Sequence, residues 1–256
     1  MDLVTALMLA AAGVIGGAIS ALVGGAAIVT FPALIAAGLS PVVATATNLV
    51  ALTPGNFLAA LYDRSQLPPL DRAFAGLVVW SMLGAVIGAA LLLVTPERMF
   101  ELFVPALLGF ATVLFAYAGR ISAWLQAPAA ARGAGAQRWS HSMAGILPVS
   151  IYGGYFGAGV GVLLLGVLSV GTGGDYRSAN VIKNLVTSLN SMVAASIFIA
   201  QGIVSWPATF AMMAGALLGA YIGARIAQVV PREVMRVVVV AMGALLTAAF
   251  AWRYWL

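Results

Sequence analysis

Two asparagines, Asn48 and Asn184, stand about six to eight residues inside long apolar blocks. At 1.5 Å per helical residue that depth is roughly 10 Å, well into the hydrocarbon of a bilayer. A primary amide offers two N–H donors without a fixed charge, a chemistry suited to the oxygens of an anion. Lys183, the only lysine, precedes Asn184 and aligns with Thr47, so it could serve as a counter-charge. A lysine at mid-bilayer costs on the order of 2.5–3.5 kcal/mol, so a buried one wants an anion. Thr45, Thr47, Thr187, Ser188 and Asn190 add hydroxyl and amide groups on the same segments. Each has a plainer use: amides can bond between helices, hydroxyls can bond their own backbone, and a lysine can snorkel to the interface.

Glycine supplies the second kind of chemistry. Residues 4–37 contain Gly16-Gly17, Gly24-Gly25 and Pro32, and residues 143–170 contain the run from Tyr152 through Gly153, Gly154, Tyr155, Gly157 and Gly159 to Gly161. Such density is costly in a continuous helix and suits an interrupted one. A break at membrane depth is tolerated only where protein or a wet cavity covers it. It would expose helix N-termini whose free N–H groups and positive dipole ends suit oxyanions. Gly24, Gly25, Gly157 and Gly159 are therefore candidate binding positions. Tyr152 and Tyr155 could line the same cavity, although tyrosines also serve in packing and at interfaces. The alternative is a kinked but continuous helix packed through its glycines.

Other chemistries lack their parts. The seven acidic residues, Asp2, Asp63, Asp71, Glu97, Glu101, Asp175 and Glu233, all fall near segment ends, so no mid-helix carboxylate offers a cation site or proton relay. His141 is the only histidine and there is no cysteine, which leaves no zinc set and no histidine-based triad. Gly171-Thr172-Gly173-Gly174 lacks the strand and helix context of a nucleotide loop. The expectation is a non-enzyme with no cofactor and no metal.

The elements that must hold these groups follow from composition. The 256 residues are 63% apolar and 7% charged, against about 25% charged in a soluble domain. Apolar blocks run at about 4–37, 42–61, 73–94 and 100–118, then at about 143–170, 179–200, 207–229 and 235–255. Most are long enough to cross a hydrocarbon core of about 30 Å, and none shows the alternation of barrel strands. The expected fold is all-α: a polytopic transmembrane helical bundle whose environment is the lipid bilayer. The net charge of +5 then reads as topology, not as nucleic-acid binding, because basic residues sit in the short loops. Met1-Asp2-Leu3 carries no basic stretch, so the first block is expected to stay in place.

The two groups of blocks are copies. Leu83-Gly84-Ala85 and Ile87-Gly88-Ala89 return as Leu218-Gly219-Ala220 and Ile222-Gly223-Ala224; Pro96 returns as Pro231, and Asn48-Leu49-Val50 as Asn184-Leu185-Val186. Ordered matches at one offset indicate duplication. The glycines spaced i, i+4 lie on one helix face and are assigned to close helix packing. The chain divides into repeat one at about 1–118, a cytoplasmic linker at about 119–141 and repeat two at about 142–256.

Charge sets the handedness. Eight simple crossings would split the basic residues evenly between the two sides, against the usual cytoplasmic excess. If the first block of each half enters and returns on one side, the halves become inverted. One side then collects Arg64, Arg72, Arg120, Arg132, Arg138, Arg177, Lys183, Arg225, Arg232 and Arg236, and the other keeps Arg98 and Arg253. Inverted repeats with a broken or re-entrant first segment are the expectation, and such breaks point to a transport site.

These residues resemble a known family. Gly16-Gly17 through Gly24-Gly25 to Pro32, followed by Thr45-Ala46-Thr47-Asn48, is similar to the sulfite exporter TauE/SafE family, also called the 4-toluene sulfonate uptake permease family. The Lys183-Asn184 element and the LGA-x-IGA segment leading to Pro231 fit its second half. The resemblance covers essentially the whole chain. It implies transport, often export, of sulfite, sulfoacetate or related organosulfur anions by a multi-pass protein of the bacterial inner membrane. The expectation is a secondary carrier whose partners are a small anionic substrate and the bilayer. An anion channel and a non-transporting membrane assembly subunit are the rivals, and oligomeric state stays open.

Overall fold

The computed structural model describes residues 1–23, 25–62, 67, 71–121, 138–172, 176–226 and 232–255. Gly24 and most of the linker, 122–137, lie outside the described residues. Among those described there are ten principal helices and no strand. They are α1 (Leu3–Val23), α2 (Ala27–Ala36), α3 (Pro41–Tyr62), α4 (Arg72–Val94), α5 (Glu97–Ala116), α6 (Arg138–Tyr155), α7 (Val160–Gly171), α8 (Tyr176–Ala200), α9 (Trp206–Ile226) and α10 (Arg232–Trp255).

The all-helical expectation holds. Within α1, α4, α5, α8, α9 and α10 there are six stretches of 18 to 23 residues apolar enough to cross a membrane. Each glycine-rich block resolves into a long helix and a short one, α1 with α2 and α6 with α7. The outer faces of the long helices carry large apolar side chains into the surroundings, among them Leu3, Val94, Leu245 and Trp252. Hydrocarbon is the solvent such a surface wants. The protein is a multi-pass membrane protein.

Glycine sets the helix pairing. On α9, a Cβ at Gly215, Gly219 or Gly223 would strike the backbone of Ala10, Val14 or Ala18 on α1. Residue numbers rise together, so α1 and α9 run parallel at close range. On α4, a Cβ at Gly84 would meet Leu147 and Ser150, and one at Gly88 would meet Ile151, so α4 and α6 also run parallel. The duplicated LGA-x-IGA segment thus does one job twice, seating the fourth helix of each half on the first helix of the other.

The fifth helices meet in the opposite sense. Trp255 Nε1 donates to Leu102 O at 2.9 Å. Gly109 faces Thr247, Gly243 faces Thr112, and Gly119 just beyond α5 faces Arg236. Numbers on α5 rise as those on α10 fall, so the pair is antiparallel. The third helices, α3 and α8, pack on each other near the middle of the bundle. Phe31, Phe100, Phe156, Phe198 and Phe250 belong to one buried apolar cluster, and Phe74, Ile146, Leu164 and Ile182 to a second.

Candidate functional site

The second break is built by its own sequence. The α6 helix ends as Phe156 N and Gly157 N both turn back to Tyr152 O, at 2.9 and 3.2 Å. Gly157 and Gly159 then take φ of +81° and +77°, a region that glycine enters without the Cβ penalty other residues meet. The Tyr152 hydroxyl donates to Ala158 O at 2.6 Å and clamps the turn from inside. After this turn α7 begins at Val160, with no side-chain cap on its first amides.

Beside the break lies a cavity of about 60 Å³, room for a few waters or one small oxyanion. From α3 it is lined by Asn48, Leu49, Leu52 and Asn56, and from α8 by Thr187, Asn190 and Ser191. Gly153, Phe156, Gly157, Val160 and Leu164 close it from α6, the break and α7, and Ala27 reaches it from α2. No charged side chain among the described residues lines it.

Its polar groups are deeply buried and under-used. Asn48 is 3% exposed and Asn190 5%. Asn190 Nδ2 donates to Ser150 Oγ at 3.0 Å, which orients the amide and joins α8 to α6. Asn48 Oδ1, Asn190 Oδ1, Thr187 Oγ1 and the neighbouring Ser188 Oγ are buried without a hydrogen-bond partner among the described residues. Each such group costs about 1–3 kcal/mol when left unpaired. Four of them within a few turns of two facing helices mark a place where a ligand or water belongs.

The residues singled out from sequence fall into two sets. Asn48 and Gly157 line the cavity, with Thr187 and Asn190. Asn184 is half-buried on α8 and sits three residues before Thr187, off the lining. Lys183 is half-buried and donates Nζ to Asn180 Oδ1 at 2.9 Å. Thr47 is buried, and its hydroxyl accepts from Ser205 N at 3.1 Å, tying α3 to the start of α9. Thr45 bonds back to Pro41 O. Tyr155 meets Thr95 Oγ1 at 3.5 Å and packs edge-on against Phe100. Gly159 rests against Ala111 and Leu114, and Gly25 against the ring of Phe115. Asn56 and Ser191 complete the lining unannounced. Helical spacing carries their signal: Asn56 lies eight residues beyond Asn48 and Ser191 four beyond Thr187, on the same faces.

The sequence profile of the family described as Sulfite exporter TauE/SafE matches residues 9–250. A Haemophilus influenzae protein named probable membrane transporter protein is 25% identical over 239 residues, covering 92% of this chain and 90% of its own. The probable membrane transporter protein YfcA of Escherichia coli K12 is 25% identical over 244 residues, covering 91% of this chain and 85% of its own. No solved structure matches.

Proposed function

We propose that this chain, which belongs to the sulfite exporter TauE/SafE family and is a membrane transporter, is a secondary carrier that exports a small sulfur-containing anion such as sulfite, sulfoacetate or another organosulfonate across a bacterial inner membrane. The observation that carries this reading is the buried cavity between α3 and α8, lined by neutral amides and hydroxyls and flanked by the start of α7. Asn48 and the α8 groups bind the anion there, and the positive end of α7 favours it. The work is carriage rather than catalysis, with no cofactor.

Two inverted repeats frame the site in this reading. The antiparallel α5 and α10, and the exchange of α4 and α9 between first helices, support it. Those directions gather Arg72, Arg120, Arg138, Arg177, Lys183, Arg225, Arg232 and Arg236 at one end, with Arg98 and Arg253 at the other. The basic end is then cytoplasmic. From it Lys183 and Asn184 lie on the α8 path toward Thr187 and Asn190, where they guide the anion inward. Thr47, Tyr152, Tyr155 and Gly159 hold the surrounding helices, while Gly25 shapes the opposite break. Alternating access rocks one repeat against the other.

Two measurements test this. In proteoliposomes, labelled sulfite should show saturable flux and counterflow; fast flux without saturation would indicate a channel. Wild-type flux from a folded Asn48→Ala, Asn184→Ala double variant would remove the site assignment. Topology is checked with single cysteines, since the chain has none of its own. Glu97→Cys and Gln201→Cys should label from one side and Arg120→Cys from the other; labelling of Glu97→Cys and Gln201→Cys from opposite sides would overturn the inversion.

A further inference from the structure

The cavity's own chemistry constrains which form of an anion it can hold. Its lining among the described residues carries no charged side chain, so no lining group supplies a full positive charge against a second negative one. Self-energy rises with the square of the charge, so a dianion carries roughly four times the burial penalty of a monoanion. The hydrogen-bonding inventory adds an independent constraint. Asn48 Oδ1 and Asn190 Oδ1 are acceptors only, both are buried, and neither has a partner among the described residues. Asn190 donates through Nδ2 to Ser150 Oγ, and its Oδ1 is the atom left without a partner among the described residues. A fully deprotonated oxyanion presents only acceptors, and would set oxygen against oxygen at both amides. An oxyanion that keeps one O–H brings the missing donor and one charge fewer.

We infer that this cavity accepts the singly charged, protonated form of a small oxyanion, hydrogensulfite in the case of sulfite, and excludes the fully deprotonated dianion. The inference rests on the anion-transport reading above and narrows it. The proton travels on the substrate, bonded to oxygen throughout, so export of one anion removes one proton without any side chain having to take it up or give it back. The Thr187 hydroxyl, on the cavity lining, serves the remaining anionic oxygens as a donor, and the positive end of α7 favours them. One of the two Asn carbonyl oxygens accepts the single substrate O–H.

The experiment compares three anions on the full-length protein in proteoliposomes, with flux and binding read across the pH range around the second ionisation of sulfite. Sulfite changes from monoanion to dianion in that range, methanesulfonate is a monoanion without an O–H, and sulfate is a dianion throughout. Above the ionisation, the apparent Kd for total sulfite should rise about tenfold per pH unit, as the competent fraction falls. Methanesulfonate should bind more weakly than sulfite at low pH and show no pH dependence. Sulfate should be transported at least tenfold less well than either. Sulfite affinity that ignores pH, or sulfate handled as well as sulfite, overturns the inference and leaves anion transport standing. So does flux that requires sodium at fixed pH, since the orphan oxygens would then be cation ligands. Failure of all three anions to bind or move would remove the anion reading itself, and this inference with it.

Discussion

The two breaks occupy corresponding places in the two halves, yet they are made by different physics. The second turns through Gly157 and Gly159 in the left-handed region, is clamped by the Tyr152 hydroxyl, and borders the cavity through Phe156 and Gly157. The first passes through Gly25 and Ala26, where Ala26 has ordinary helical angles and Gly25 is required by the ring of Phe115. Its share of the cavity is Ala27. Among the described residues, one break is a backbone device and the other a packing device. In the inverted-repeat reading proposed above, the two halves share the path of the chain but not the means.

The asparagines show the same asymmetry and give the largest expected effect. Asn48 lines the cavity, whereas its counterpart Asn184 is half-buried on α8 and off the lining. Asn48→Leu should cost about 1.5–3 kcal/mol of interaction with a bound anion, roughly a ten- to hundredfold loss in flux per KM. Asn184→Leu should raise KM only a few-fold and leave kcat near its wild-type value. Equal losses from the two variants would mean that the site straddles the pseudo-twofold axis, and the asymmetry drawn here would fail.

How much of this could be read from the chain alone depends on the element. The apolar blocks mark the long helices because lipid demands length, and the paired glycines mark helix contacts because only they admit a neighbouring backbone. Asn48 was legible as a deep polar group. The orientation of α8 was not. In a bilayer both lipid and protein faces are apolar, so the polar stretch from Asn184 to Ser191 gives no sign of which residues turn toward α3. The repeat pointed to Asn184, while helix rotation brought Thr187, Asn190 and Ser191 to the cavity. Thr47 was similarly ambiguous: its hydroxyl serves a backbone amide on Ser205, a partner 158 residues away that no local pattern announces.

Alanine substitution at the breaks gives the next largest effect and separates the two devices. Gly159→Ala places a Cβ in a left-handed conformation and should destabilise by about 1–2 kcal/mol. No change in a neighbouring side chain should recover that loss, since the strain lies within the residue. Gly25→Ala overpacks the Phe115 ring, which is buried, and should cost about 1–3 kcal/mol. Here a second change, Phe115→Leu, should recover part of the loss by opening room for the methyl group. Thermal unfolding in detergent of wild type, both single variants, Gly25→Ala with Phe115→Leu, and Gly159→Ala with Leu114→Ala checks this. Rescue at both breaks, or at neither, would erase the distinction between backbone and packing devices.

The smallest effect lies within the second break, between its two tyrosines. Tyr152 donates a 2.6 Å bond to Ala158 O in the turn itself, whereas Tyr155 reaches Thr95 Oγ1 only at 3.5 Å. Removing the Tyr152 hydroxyl takes a short donor from a buried turn, so Tyr152→Phe should lower stability by about 0.5–1.5 kcal/mol. The Thr95 hydroxyl already donates to Leu91 O at 2.6 Å, so Tyr155→Phe should change stability by less than about 0.5 kcal/mol. Both variants keep the rings that pack against Phe110 and Phe100, which isolates the hydroxyl in each case. Because the Tyr152 bond holds the turn that carries Gly157, its loss should also weaken anion binding a few-fold, and Tyr155→Phe should not. A larger binding defect in Tyr155→Phe would shift the working hydroxyl of this break from the turn to the contact with Thr95, just beyond α4.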